Sequence, residues 1–229
     1  MRLTSEAALD AGLAALARRD PPGFAALWAV GGRPALRHGR RPFEALAATI
    51  TGQQVSTASA AAIFGRLSAV LRPMTAETFL AATDATLRQC GLSTAKVRTL
   101  RGVAEAVVAG ALPLDDLGAL PSAEAHRRLI ALKGIGPWTA DVFLLFGLGE
   151  PDVLPAGDLA LQEAYRLVFG GTVRPDATAL EAAAERWRPW RGVAAYMLWA
   201  CYRALRGGGA TPVPEPALTA TSTGEKTGR

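Results

Sequence analysis

A chain of 229 residues, half of them hydrophobic, is long enough to bury a core as one large domain or two small lobes, and this composition excludes a wholly disordered protein. The net charge of +5, carried by 22 arginines and 3 lysines, favours a polyanionic partner, although an arginine-rich coding bias would leave the same surplus on a merely solvated surface. The longest apolar run, Val142 to Leu148, is too short to span a bilayer, so no membrane association is expected.

The N-terminal Met1-Arg2-Leu3-Thr4-Ser5-Glu6 is charged early and lacks the apolar core of a signal peptide. Cys90 and Cys201 are far apart, form no metal-type cluster, and read as buried thiols of a reducing cytosol. A cytoplasmic protein is expected, nucleoid-associated if bacterial.

Nearly every segment has helical period. Ser5 is placed to cap a helix to Arg18 with Leu9, Leu13 and Leu16 on one face, and Pro21-Pro22 ends it and opens a second helix through Trp28. Arg33 to Arg41, with four arginines, His38 and interspersed Gly and Pro, reads as a solvated basic connector, with a phosphate contact as the alternative. A helix from Pro42 carries Phe43, Leu46, Ala47 and Ile50 into Thr51-Gly52-Gln53-Gln54-Val55, and Ser56 caps a long helix to about Leu71. Thr75 begins another. Ser93 caps a helix to Ala109 whose Val97, Leu100, Val103 and Val107 form an apolar stripe. After a short helical connector, Pro113 to Leu120, Ser122 opens the helix that leads into a glycine turn. Three more helices follow: from Asp158 to about Phe169, from Asp176 to Trp187, and from Trp190 to Leu205. Gly171-Thr172-Val173 is the best strand candidate and is weak. Gly207 to Arg229 is rich in Gly, Pro, Thr and Ala without periodicity and reads as a disordered tail. The expected fold is all-α, over residues 1–206.

The chemistry gathers in Leu132-Lys133-Gly134-Ile135-Gly136-Pro137-Trp138-Thr139-Ala140-Asp141 and in Pro155-Ala156-Gly157-Asp158. The first segment is one helix ending, a tight turn, and a second helix opening on a proline that suits its first position. The unpaired amides around Gly134 and Gly136, with Lys133 beside them, would hold a DNA phosphate without reading sequence. Asp158 starts a new helix, which leaves open whether it is only a cap or a working carboxylate. Gln53 and Gln54, adjacent glutamines between helices, either form a plain turn or present amides to an opened duplex.

Taken in order, these motifs resemble the HhH-GPD superfamily of DNA glycosylases, named for a helix-hairpin-helix, a Gly/Pro-rich loop and an aspartate. Gly52-Gln53-Gln54-Val55-Ser56 resembles the family's duplex-entering loop. Trp187-Arg188-Pro189-Trp190-Arg191 followed by Trp199 resembles the 3-methyladenine DNA glycosylase II branch. The likeness runs from Pro42 to Leu205, and implies two helical lobes with the active-site cleft between them. The helices before Pro42 would pack with the C-terminal ones, in place of the N-terminal β domain of longer branch members.

The resemblance implies that Asp158 is the catalytic carboxylate, that Trp138 and Trp199 form the base pocket, and that Gln54, with Gln53 beside it, fills the space a flipped base vacates. It also implies a Na⁺ or K⁺ at the hairpin, held by the main-chain carbonyls of Ile130, Leu132 and Ile135, with no other cofactor. Trp138 stands where bifunctional relatives carry a nucleophilic lysine, so no lyase activity is expected. Two scattered cysteines cannot hold the four-cysteine iron–sulfur cluster of other relatives. Positions that would be pocket tyrosines fall at Val142 and Leu159. The implied activity is hydrolytic excision of alkylated purines, of 3-methyladenine and 7-methylguanine type, from double-stranded DNA by a monomer. A glycosylase for deaminated or oxidised bases, and a non-catalytic DNA-binding module, are the alternatives. Asp141, one turn into the post-hairpin helix, is expected to make a structural hydrogen bond, while Trp187 and Trp190 read as packing residues.

Overall fold

The computed structural model describes residues 1–207. Among them it contains twelve α-helices and no strand: α1 (Glu6–Arg19), α2 (Pro21–Gly31), α3 (Pro42–Gly52), α4 (Thr57–Val70), α5 (Ala76–Ala81), α6 (Asp84–Gln89), α7 (Thr94–Val108), α8 (Ser122–Ile130), α9 (Pro137–Phe146), α10 (Leu159–Phe169), α11 (Ala177–Ala184) and α12 (Arg191–Arg206). Two 3₁₀ turns, Leu117–Ala119 and Glu185–Trp187, join them. The fold is all-α.

Side-chain caps start most helices. Ser5, Ser56, Thr75, Ser93 and Asp176 each accept a hydrogen bond from an amide in the first turn. Each such cap is worth about 1 kcal/mol and fixes where the backbone leaves the preceding loop. The weak strand candidate at Gly171-Thr172-Val173 is instead an irregular turn. Gly170 ends α10 in the left-handed conformation at φ 78°, and the chain reverses there with Val173 exposed and no neighbouring strand to pair with. The tail expected from Gly207 lies outside the described residues beyond Gly207 itself, which ends α12.

The helices pack into two lobes. In one, α12 is the central element, buried continuously from Gly192 to Cys201, as a helix apolar on all sides must be. α1, α2 and α10 pack around it, so the N-terminal helices do lie against the C-terminal ones. At Gly31 of α2 a Cβ would sit 2.7 Å from the Cys201 backbone nitrogen, so the close approach of α2 and α12 requires glycine there. In the other lobe α3 is buried along nearly its whole length among α4, α7 and α9, with α5 and α6 on α7 and α8 on α9.

The basic stretch Arg33–Arg41 is not the solvated connector its composition suggests. Arg33 reaches back to Glu6 and Asp10 on α1, at 2.6 and 2.7 Å. Arg40 lies 5.0 Å over the Phe64 ring of α4 and 3.7 Å from Glu44. Arg37 is buried, and His38 Nδ1 lies 3.2 Å from the Phe146 carbonyl. These side chains pin the connector, Arg33 to one lobe and His38 and Arg40 to the other. A charge-rich segment reads as solvated from composition alone, because nothing in it shows which carboxylates and rings will surround it.

Candidate active site

The glycine turn joins α8 to α9. Gly134 has φ +91°, and a Cβ there would stand 2.1 Å from Thr99 Oγ1 on α7, so both conformation and contact require glycine. Ile135 is buried and its amide donates to the Leu132 carbonyl at 3.1 Å, which pins the turn. Gly136 precedes Pro137 with no side-chain cap, leaving the first amides of α9 without the usual partner. Lys133, Gly134 and Gly136 are all exposed on this rim. The turn therefore offers amides, a helix N-terminus and an ammonium group to an anion from solvent.

Behind the rim a cleft of about 570 Å³ opens between the α3–α4 loop, the hairpin and the start of α10. Asp158 lines it and is 7% exposed. As the residue before α10, it caps that helix by accepting from the Ala160 amide at 2.9 Å and the Leu161 amide at 3.2 Å, both on Oδ1. Two indoles complete its surroundings: Trp138 Nε1 donates to Oδ2 at 2.9 Å and Trp199 Nε1 to Oδ1 at 3.4 Å. Burial pushes the Asp158 carboxyl above its ordinary range, while these four donors, Trp138 foremost, pull it back. Oδ1 has three donors, whereas Oδ2 has one and keeps acceptor capacity for another group. Asp158 is thus both a helix cap and a desolvated carboxylate on a cleft.

The two pocket tryptophans are placed differently from each other. Trp138 is half-buried and forms a wall of the cleft. Trp199, expected beside it, is 2% exposed and lies behind the carboxylate, tilted against Phe146 with ring centroids 5.1 Å apart. It belongs to the most buried part of α12, so the packing that holds the helix also withdraws the indole from the cleft. The position where the family pattern would have an aromatic at Leu159 is 61% exposed on the cleft, whereas Val142 is fully buried in the core. Trp187 is buried and donates to Asp20 Oδ2 at 2.8 Å, and Trp190 packs on the core, so neither faces the cleft. Tyr196 is buried as well, its hydroxyl accepting from the Arg37 amide at 3.4 Å.

Gln54 has φ +54°, the one non-glycine residue with positive φ among the described residues, and its side chain is exposed at the cleft mouth. Gln53 lines the same cleft and is less exposed. Its Nε2 donates to Thr139 Oγ1 at 2.8 Å and to the Gly134 carbonyl at 3.3 Å. Thr139 is buried on α9, and only its tertiary partner marks it as more than a core threonine. Lys96 on α7 was likewise invisible as a site residue; its Nζ donates to the Thr51 carbonyl at 2.7 Å at the end of α3, and burial lowers its pKa.

Asp141 lies away from the cleft, 3.3 Å from His126 Nε2 across the α8–α9 pair, which is the structural contact expected of it. Burial, then Glu181, push its carboxyl up to about 7, with Arg191 opposing, while burial lowers His126. A larger cavity of about 770 Å³ opens on the far side of Gly134 against α7, but its carboxylates, Asp84 and Glu105, are exposed. Of these cavities, the 570 Å³ cleft is the one that combines a desolvated acid with an amide-lined rim. Among the described residues no group of three His, Cys, Asp or Glu is placed to hold a metal.

A solvent-facing hairpin beside a buried aspartate at a Pro-Ala-Gly turn defines a base-excision repair fold: the chain belongs to the HhH-GPD superfamily of base excision DNA repair proteins, matched over residues 47–189. It is 32% identical over 164 residues to DNA-3-methyladenine glycosylase 1 of Schizosaccharomyces pombe, covering 70% of this chain and 72% of that protein. It is 28% identical over 168 residues to DNA-3-methyladenine glycosylase 2 of Escherichia coli, covering 69% of this chain and 56% of that one. Among solved structures, the S. pombe 3-methyladenine DNA glycosylase in complex with abasic DNA aligns with TM-score 0.75 and 29% identity over 82% of this chain and 94% of that chain. A Bacillus halodurans DNA-3-methyladenine glycosidase aligns with TM-score 0.73 and 28% identity over 93% of this chain and 96% of that chain.

Proposed function

We propose that this protein is a monofunctional DNA glycosylase that flips alkylated purines, of 3-methyladenine and 7-methylguanine type, out of duplex DNA and hydrolyses their N-glycosidic bond in base excision repair. The observation that carries the reading is Asp158: a buried carboxylate, held by four N–H donors, on a cleft that opens beside a phosphate-binding hairpin. The relatives named as 3-methyladenine glycosylases support the lesion class.

The hairpin amides and Lys133 hold a backbone phosphate, and Gln54 enters the stack as the damaged base leaves it. Extrusion costs a few kcal/mol and is cheapest for a damaged, weakly paired base. The base rests on the face of Trp138, whose electron-rich indole attracts a cationic alkylpurine more than a neutral one. Breaking the bond from C1′ to the purine returns its electrons to the base, which leaves neutral, and puts positive charge on the sugar. Asp158 stabilises that charge through Oδ2 and orients the water that adds to C1′ and gives up a proton. Because the leaving group is already cationic, no strong general acid is required. Trp138 in place of an amine leaves no nucleophile for a Schiff base, so the backbone stays uncut.

A monovalent cation is part of this reading. The Ile130, Leu132 and Ile135 carbonyls of the turn would hold it and add positive charge near the phosphate; the Leu132 carbonyl already accepts one amide and keeps a second lone pair. The partner is double-stranded DNA, the protein acts as a monomer, and its place in the cell is the cytoplasm or nucleoid. No helix among the described residues is long and apolar enough to cross a membrane.

The test is base release from duplexes carrying 3-methyladenine, 7-methylguanine or hypoxanthine, by wild type and by Asp158→Asn. The reading expects release of the methylated purines by wild type and a rate at least roughly a thousandfold lower for the variant, the value of one charge at about 4 Å in a protein-like dielectric. Tight binding by wild type with no release overturns it.

A further inference from the structure

The Gln53 side chain fastens the α3–α4 loop to the hairpin. Gln53 Nε2 donates both to Thr139 Oγ1, in the first turn of α9, and to the carbonyl of Gly134, the residue at the heart of the glycine turn. On its other flank the end of α3 is held by Lys96 of α7, through the Thr51 carbonyl at 2.7 Å. Immediately after these two ties the chain takes its left-handed step at Gln54, whose side chain is exposed at the cleft mouth. Both glutamines line the cleft, but the Gln53 amide is bonded within the protein while the Gln54 side chain is exposed.

We infer that Gln53 is a positioning residue, which acts through Gln54 by holding the duplex-entering loop in register with the phosphate-binding turn. This rests on the glycosylase reading above. The geometry has a specific consequence. A phosphate gripped at Gly134–Gly136 fixes the backbone of the duplex, and the Gln53 bridge fixes Gln54 against that same turn, so the inserting side chain meets the helix stack at one place. With the bridge cut, the hairpin still grips DNA, but Gln54 no longer arrives in register when the base leaves. The loss falls on the flipping and chemical steps rather than on the binding of undamaged DNA.

Gln53→Met keeps the length of the side chain and removes the donor; Gln53→Glu keeps an acceptor for the Thr139 hydroxyl and faces the Gly134 carbonyl with a charge. The experiment measures single-turnover release of 3-methyladenine and the Kd for undamaged duplex, for each variant alone and combined with Gln54→Ala. Expected are single-turnover rates roughly 10- to 100-fold lower for both variants, the range for losing hydrogen bonds that matter only in the transition state. The Kd for undamaged duplex stays within about twofold, and in the Gln54→Ala background the further loss shrinks below about threefold. Rates at the wild-type level overturn the inference. So does an equal fractional loss in both backgrounds, which marks a structural role independent of Gln54, or a Kd that weakens as much as the rate. A wild type that releases no base overturns the glycosylase reading itself, and is distinguished by needing no variant to be seen.

Discussion

Burial of the Asp141 carboxyl makes the stability of the protein depend on pH in a direction that can be worked out. Asp141 sits on α9, opposite His126 on α8, with Glu181 of α11 adding negative charge and Arg191 of α12 adding positive. Its carboxyl is raised from 3.8 to about 7, with burial as the largest cause. A group whose folded pKa is raised holds its proton longer in the folded state, so its contribution is fully present below about 4 and is lost as pH rises to about 7. At about 1.4 kcal/mol per pH unit the full loss is roughly 4 kcal/mol, of which roughly 2 falls between pH 5 and 7. The side chain keeps 21% of its exposure, so solvent trims this, and a loss of about 1–2 kcal/mol is expected over that range. His126, whose pKa is lowered by burial, works the other way and costs stability as pH falls below its ordinary range. Asp141→Asn removes only the first contribution, because its amide can still donate to His126. Urea denaturation of wild type and Asp141→Asn, followed by circular dichroism at pH 5, 6, 7 and 8, isolates the effect in the difference between the two curves. The variant should gain on wild type by about 1–2 kcal/mol from pH 5 to 7 and hold nearly level above that. A difference constant to within about 0.5 kcal/mol across the series would refute the reasoning.

Trp138→Phe keeps a ring on the cleft and removes the strongest donor to Asp158 Oδ2. Burial then pushes the carboxyl further up, so the acid limb of the single-turnover pH profile should move to higher pH, with a larger loss of rate at pH 6 than at pH 8. An unchanged limb would show that the indole N–H does not support the ionised form. Gly134→Ala should cost about 1–3 kcal/mol of stability, from a positive φ and a Cβ driven against Thr99, and should weaken binding to undamaged duplex. Thr99→Ala should restore part of the stability loss in the double variant by making room, while the cost of the conformation stays; chemical denaturation of the three variants separates the two terms.

Helix positions were legible because their signals are local. Ser5, Ser56 and Ser93 were read as caps from their place before apolar periods, and each does cap in the structure; Thr75, read only as a helix start, caps as well. The six-residue α6 was not, since one and a half turns cannot establish a period. Asp158 and Trp138 were picked from the order of motifs, and the fold brings them within 2.9 Å of each other across twenty residues of chain. What could not be read was the destination of individual side chains. Trp199 was placed on the pocket by the resemblance, yet α12 is buried there from Gly192 to Cys201 and the ring packs in the core behind Asp158. Arg33, Arg37 and Arg40 read as solvated because charge in a Gly/Pro-rich stretch ordinarily is. That Gln53 bonds to Thr139 and Gly134 while Gln54, at φ +54°, stays exposed could not be read either. Each of these is decided by contacts between residues distant in the chain, which no local pattern encodes.

The central claim is hydrolysis by a carboxylate without an amine nucleophile, and one measurement addresses it directly. A 3-methyladenine duplex labelled on the damaged strand is incubated with excess enzyme, and free base, strand cleavage before and after alkali, and covalent protein–DNA adduct after borohydride are followed together. The account predicts release of the free base, a strand that breaks only after alkali, and no adduct. Adduct formation, or strand cleavage that keeps pace with base release, would contradict it.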